Sequence, residues 1–147
     1  MQIRTATLAD VPALVVLGTR FLAQAPLRVD VPGEVLARST ERVIEHGVVF
    51  VGEDRDVIVA MLAGVESSVW FDPETRIAIE LAWWVEETHR GTLGSLRLVR
   101  AFEGWAAERG VHRIVFSDVV LPDGRAAGPL IERQGYQLVE RAFLKVI

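Results

Sequence analysis

Two features of the 147-residue chain have residue types and spacing that could do chemistry. One is Glu80, a carboxylate in the middle of a strand-like stretch, where a general base can be held out of bulk water. The other is the run Arg90-Gly91-Thr92-Leu93-Gly94-Ser95, rich in small and polar residues, which leads into a helix. Free backbone N–H groups at a helix N-terminus converge on one point and favour an anion such as phosphate. Gly91 and Gly94 would allow close backbone approach and unusual dihedral angles. Glu80 also has a structural alternative, pairing with Arg76 or with a cation on another strand.

The elements around these residues follow from hydrophobic period. Arg76–Val85 alternates, with Ile77, Ile79, Leu81, Trp83 and Val85 on one face and Arg76, Ala78, Glu80, Ala82 and Trp84 on the other. Trp84 therefore shares a face with Glu80 and is expected to wall a substrate pocket, whereas Trp83 continues the core face. Trp70 and Phe71, in the loop before this strand, are further pocket candidates. A loop, Glu86–Gly94, leads to a helix over Ser95–Arg109, with Leu98, Ala101, Phe102, Trp105 and Ala106 on its inner stripe. Arg97 and Arg100 fall on its outer face.

Upstream, Gln2–Ala6 reads as a strand. A helix capped by Thr7 or Asp10 follows, with Val11, Leu14, Leu17, Phe21 and Leu22 as its stripe, ending at Pro26. Glu34–His46 is a second helix, with Leu36, Thr40, Val43 and Ile44 facing inward and Gly47 as its stop. Val48–Val51 and Val57–Val65 form a hairpin. Downstream, Arg113–Val119 must run parallel to the strand before the helix, because a helical crossover joins them. The loop Leu121–Gly128, with Pro122, Asp123 and Gly124, precedes a short helix over Pro129–Gln134, and Tyr136–Ile147 returns as a terminal strand. The prediction is an α/β (α+β) fold in one domain over residues 1–147. Its mixed, mostly antiparallel sheet is flanked by helices in the order β-α-α-β-β-β-α-β-α-β.

Composition narrows the function. A formal charge of −4 argues against a broad nucleic-acid surface and mildly favours a cationic amine. No apolar run approaches the ~20 residues of a membrane helix. The N-terminal residues lack the apolar core of a signal peptide, so the expected compartment is the cytoplasm. With no cysteine, thiol catalysis and thiolate metal sites are excluded. His46, His89 and His112 do not share metal-ligand spacing, so no metal is expected. His89 adjoins the small-residue loop and reads as an exposed loop histidine.

The order of elements and three motifs resemble the Gcn5-related N-acetyltransferase (GNAT) superfamily over essentially the whole chain. The cofactor signature of that family is Gln/Arg-x-x-Gly-x-Gly/Ala. With Arg90 first, Leu93 takes the first glycine position and Ser95 the second, and Glu87 replaces the usual proline. A second register starts at His89, with Thr92 and Gly94 as the small pair. Ile3–Asp10 looks like the family's opening, and Arg133-Gln134-Gly135-Tyr136 looks like its ending. Glu80–Val85 also resembles a bacterial and phage-associated subset.

The resemblance implies an acetyl-CoA-dependent enzyme acting on a small-molecule or peptide amine by direct attack in a ternary complex. Arg90, Gly91, Thr92, Leu93, Gly94 and Ser95 would hold the pyrophosphate. The backbones of Trp83 and Val85 would align the pantetheine arm where two strands splay apart, and Glu80 would be the base. The tyrosine that usually protonates the leaving thiolate is Ile131 here, and Asp123-Gly124 stands where an Asn often opens that segment. Tyr136 aligns with a structural aromatic. The missing acid leaves a second reading, an acyl-CoA-binding module without turnover. The apolar end, Phe143–Ile147, allows either a homodimer or a core strand.

Overall fold

The computed structural model describes residues 1–27, 29–121, 124 and 126–147. Its elements are β1 (Gln2–Thr5), α1 (Val11–Gln24), α2 (Gly33–His46), β2 (Val48–Asp54), β3 (Val57–Val69), β4 (Asp72–Val85), α3 (Leu93–Glu108), β5 (Ile114–Val115) and α4 (Gly128–Glu132). Single 3₁₀ turns at Leu8–Asp10 and Glu87–His89 lead into α1 and the small-residue loop. The strands form one sheet in sequence order. Every neighbouring pair is antiparallel except β4 and β5, which are parallel as the helical crossover requires.

Both faces of the sheet are covered, which is why β2 and β3 read as near-continuous apolar runs. Val48, Phe50, Ala60 and Leu62 pack with Leu98, Val99, Phe102 and Trp105 of α3 and with Ile131 of α4. Val49, Val51 and Met61 face the other way and pack with Leu14 and Leu17 of α1. From α2, Val43 and Ile44 join that second core as predicted. The Thr40 hydroxyl instead donates back to the Leu36 carbonyl at 2.8 Å. At the sheet's first edge, Arg4 bridges Asp10 (2.8 Å) and Glu53 (2.9 Å), and Asp10 also accepts from the Thr7 N–H. That pairing with Arg4 holds the Asp10 carboxyl far below the usual range and ties the start of the chain to β2.

The alternation expected for β4 breaks at one residue. Ala63 pairs with Ala82 and Gly64 with Glu80, so Leu81 is an extra residue with no opposite number. This is a β-bulge, and it exchanges the two faces of the strand downstream. Ala78 before it, and Trp83 and Val85 after it, share the α3 face, while Ala82 and Trp84 belong to the α1 side. Two expectations are thereby corrected. Leu81 is exposed rather than inward, and Trp84 does not share a strand face with Glu80. Gly64 sits opposite the bulge. A Cβ there would collide with the edge of the Phe102 ring and lie 2.9 Å from the Ile79 carbonyl oxygen.

β5 is shorter than the predicted Arg113–Val119. The Arg113 carbonyl accepts from the Ala78 N–H at 2.9 Å, and Ile79 pairs with Val115, after which the ladder stops. The predicted terminal strand, Tyr136–Ile147, is absent. Residues 137–147 have no regular structure and are exposed. A strand repays its ordering entropy only against a partner of comparable length, and β5 offers two residues. Tyr136 itself is anchored, with its hydroxyl donating to Glu103 at 3.0 Å and its ring edge-on to Phe116. The sequence-based expectations about Pro122 and Asp123 fall outside the described residues.

Gly64→Ala is expected to lower stability by about 1–3 kcal/mol through overpacking against Phe102, read as a lower urea midpoint at unchanged m-value.

Candidate active site

The site lies where the β4–β5 ladder ends. Past Ile79 and Val115 no backbone bond joins the two segments among the described residues. Instead the Ser117 N–H donates to Glu80 Oε2 at 3.1 Å. A side chain thus occupies the place of a ladder bond and spreads the strands into a fork. The bulge at Leu81 turns β4 at the same point.

Beyond the fork, β4 has one paired edge and one open edge. The Glu86 N–H bonds the Val59 carbonyl in β3 at 2.9 Å. Backbone groups of alternate residues point to opposite edges of a strand. Trp84 and Glu86 therefore address β3, while Trp83 and Val85 present their backbone groups to the open edge. The Val85 carbonyl confirms this direction, since it accepts from Arg90 Nε at 2.7 Å. Arg90 is consequently a brace as well as a cation. Its guanidinium lies over the Trp84 ring at 4.6 Å, and its Nη1 is 3.5 Å from Glu87.

The loop from Arg90 to Ser95 ends in the first turn of α3. Gly91 has φ +70, a left-handed conformation that a Cβ would strain. Gly94 has a different role, because a Cβ there would strike the Met1 side chain. The Thr92 hydroxyl donates to the His89 carbonyl at 2.8 Å and does not cap the helix. Of the first-turn N–H groups, that of Ser95 donates to the Thr92 carbonyl at 3.1 Å, while those of Leu93 and Gly94 have no partner among the described residues and are left for a ligand. Ser95 Oγ is buried without a hydrogen-bond partner among the described residues. An orphaned hydroxyl beside open N–H groups at a helix N-terminus suits phosphate oxygens. His89 holds the loop from behind, with Nε2 3.1 Å from Asp54 and Nδ1 2.9 Å from the Thr88 hydroxyl. It is a half-buried loop anchor rather than the exposed loop histidine expected. Thr92 and Leu93 are exposed at the loop's rim.

One cavity of about 340 Å³ joins the fork to this loop. Glu80, Trp83, Trp84, Val85, Arg90, Gly91 and Ser95 line it, as do Phe21, Ser117, Val119, Leu121, Ala126, Ala127 and Leu130. Trp70 and Phe71, the other pocket candidates, lie elsewhere. They form the tip of the β3–β4 hairpin, 93% and 70% exposed, with their rings edge to face at 5.4 Å. The length of β4, roughly 3.3 Å per residue, separates them from Glu80. Phe21, Leu121 and Leu130 were missed as pocket walls because an apolar residue on a helix stripe or in a loop looks the same in sequence whether it faces a core or a cavity.

Glu80 is 5% exposed, and burial pushes its pKa up to about 7 against the opposing pull of the Ser117 N–H. Arg76, its alternative partner, pairs with Glu66 at 2.6 Å instead. Ile131 is buried in the α3–α4 core and supplies no proton donor. Burial and Glu103 hold the Tyr136 phenol well above its usual range. Asp118 is occupied structurally, accepting from the Gly128 N–H at the start of α4 at 2.8 Å. Arg97 and Arg100 are exposed on α3.

A sheet forked beside a helix N-terminus, with helices on both faces, is the acyl-CoA N-acyltransferase fold. The chain belongs to the acetyltransferase (GNAT) family, whose model matches residues 22–136. A predicted acetyltransferase of Clostridium acetobutylicum, solved with acetyl-CoA, superposes with a TM-score of 0.77 at 20% identity, over 99% of this chain and 95% of that one. The aminoglycoside N-acetyltransferase AAC(6')-Iy, solved with CoA, gives 0.80 at 12% identity over 99% and 93%. Glucosamine-6-phosphate N-acetyltransferase of Arabidopsis thaliana gives 0.76 at 15% identity over 99% and 97%. No curated protein matches the sequence. Among the described residues no helix is long and apolar enough to cross a membrane, and no three His, Cys, Asp or Glu side chains cluster as metal ligands.

The raised pKa of Glu80 has a consequence for stability. The folded carboxyl keeps its proton to about 7, whereas an unfolded chain releases it near 4.5. Between those values the folded state binds more protons, so stability falls as pH rises through the window. Glu80→Gln keeps an acceptor for Ser117 and removes the charge. It is expected to raise stability at pH 8 by about 1–3 kcal/mol, with little change at pH 4, measured as Tm across that range.

Proposed function

We propose that this protein transfers the acetyl group of acetyl-CoA to the amine of a small molecule or peptide. The observation that carries the reading is the fork, with a buried carboxylate at its base and an open strand edge leading to the α3 N-terminus. The first-turn N–H groups of α3, the Gly91–Ser95 backbone and the Ser95 hydroxyl would hold the pyrophosphate. The cationic Arg90 adds attraction there while bracing Val85. The open-edge backbone groups of Trp83 and Val85 would align the pantetheine arm and polarise the carbonyl to be attacked.

Acetyl-CoA supplies an activated thioester. The amine nitrogen bonds to its carbonyl carbon, the C–S bond breaks, and sulfur leaves as a thiolate with the bonding pair. Glu80 takes the proton that the amine loses, directly or through water. Its pKa near 7 places it where a base can both accept and release a proton near neutrality. With Ile131 in the family's acid position, the thiolate leaves without a tyrosine donor. That replacement favours a second reading, an acyl-CoA-binding module that does not turn its ligand over.

Free-thiol release from acetyl-CoA over a panel of amines separates the two readings. Turnover is expected, with kcat rising through about pH 7 as Glu80 deprotonates. Glu80→Gln should cut kcat by roughly 10²–10⁴ and abolish that pH limb without weakening CoA binding. Full activity in Glu80→Gln would sink the base assignment. Tight CoA binding with no turnover of any amine would establish the module instead. Ser95→Ala should weaken CoA binding roughly tenfold by removing one hydrogen bond to a charged group, read by calorimetry.

A further inference from the structure

The cavity passes through the sheet instead of lying on one face. Ser95 and Leu130 line it from the α3–α4 side, where the small-residue loop sits. Phe21 and Trp84 line it from the α1 side, where both pack with the second core. A cofactor held at the α3 N-terminus therefore reaches the fork from one face and leaves the other face to the acceptor. Phe21, Trp84, Val119 and Leu121 give that approach a wall of rings and aliphatic groups.

Charge is scarce along this wall. Among the described lining residues the charged groups are Glu80 and Arg90. Glu80 is committed to the reacting amine, and Arg90 is held in place by the Val85 carbonyl and the Trp84 ring. The nearby Arg20 is paired with Glu86. A second ammonium on the acceptor would find no second carboxylate among these described lining residues and would face the Arg90 guanidinium. Burying an unpaired charge costs far more than burying a methylene gains. An aromatic or alkyl body gains from the same walls.

We propose that the acceptor is a primary amine on an apolar body, aromatic or aliphatic, with no second positive charge, and that Phe21 sets this preference from α1. The amine in this inference rests on the transferase reading above, while the apolar subsite is a statement about binding that can be measured separately.

The test compares hexylamine, phenethylamine and hexamethylenediamine with the full chain saturated with acetyl-CoA for thiol release, or with CoA for calorimetry. Hexylamine and hexamethylenediamine differ by one terminal ammonium, so their ratio reads the cost of the second charge. Both monoamines are expected to exceed the diamine at least roughly tenfold in kcat/KM and in affinity. Phe21→Ala should raise KM for phenethylamine roughly tenfold while CoA affinity stays within about twofold. Phe21→Leu, which keeps most of the packing, should move KM the same way by less. Equal or better use of the diamine overturns the inference. So does an unchanged phenethylamine KM in a Phe21 variant that still binds CoA. Phe21-dependent binding of the monoamines without thiol release would leave the apolar subsite standing and remove the transferase reading instead.

Discussion

The hydrogen bond from the Ser117 N–H to Glu80 decides the rest of the site. In an ordinary parallel ladder a backbone carbonyl would accept from that N–H and the sheet would stay closed. Here a side-chain carboxylate accepts, so β4 and the chain after β5 are held apart yet remain tied. The tie satisfies the Ser117 N–H, and beyond it the Val85 carbonyl is taken up by Arg90. The Trp83 backbone and the Val85 N–H on the open edge have no ladder partner among the described residues, a costly state unless a ligand fills it. It also fixes the carboxylate where burial disfavours its charge. A pKa near neutrality and an open strand edge thus come from one contact.

Two further arrangements maintain the fork. The bulge at Leu81 turns β4 where the ladder fails, and Gly64 opposite it lets Phe102 press against the strand from α3. Arg90 then closes the far end by binding the Val85 carbonyl and covering Trp84. The loop is anchored behind by His89 to Asp54 in β2. The small-residue loop is therefore braced at both ends, while Ser95 lines the cavity with an Oγ that has no partner among the described residues. Preorganisation of this kind spares a ligand much of the ordering cost of binding.

Much of the architecture was legible in sequence because it depends on local period. The apolar runs of β2 and β3, the stripe of α3 and the stop at Gly47 each specify an element without reference to distant residues. The loop after β4 was legible for the same reason, since small residues between a strand and a helix have few other uses. Glu80 stood out because a mid-strand carboxylate needs a reason. Its partner, an N–H thirty-seven residues later, carries no side-chain signal at all. The Leu81 bulge was equally silent, because a period-two pattern with one residue inserted still looks apolar and polar by turns. That insertion moved Trp84 to the other face, and the exposed hairpin tip took Trp70 and Phe71 away from the cavity. The tail after Tyr136 has strand composition, yet pairing is a property of two segments and β5 offers too little edge.

The sequence by itself determined which segments are strands and helices in the body of the chain, that a small-residue loop precedes α3, and that Glu80 is an unusual carboxylate. These follow from residue type and spacing along one continuous stretch. Only the tertiary structure decided that the ladder opens at Ile79, that Glu80 is desolvated to a pKa near neutrality, and that Phe21 and Trp84 meet the same cavity from the side opposite Ser95. Each depends on the registry of strands and the packing of helices far apart in the chain. Desolvation and backbone pairing are set by whatever lies across the gap, and no single stretch of sequence contains its own neighbour.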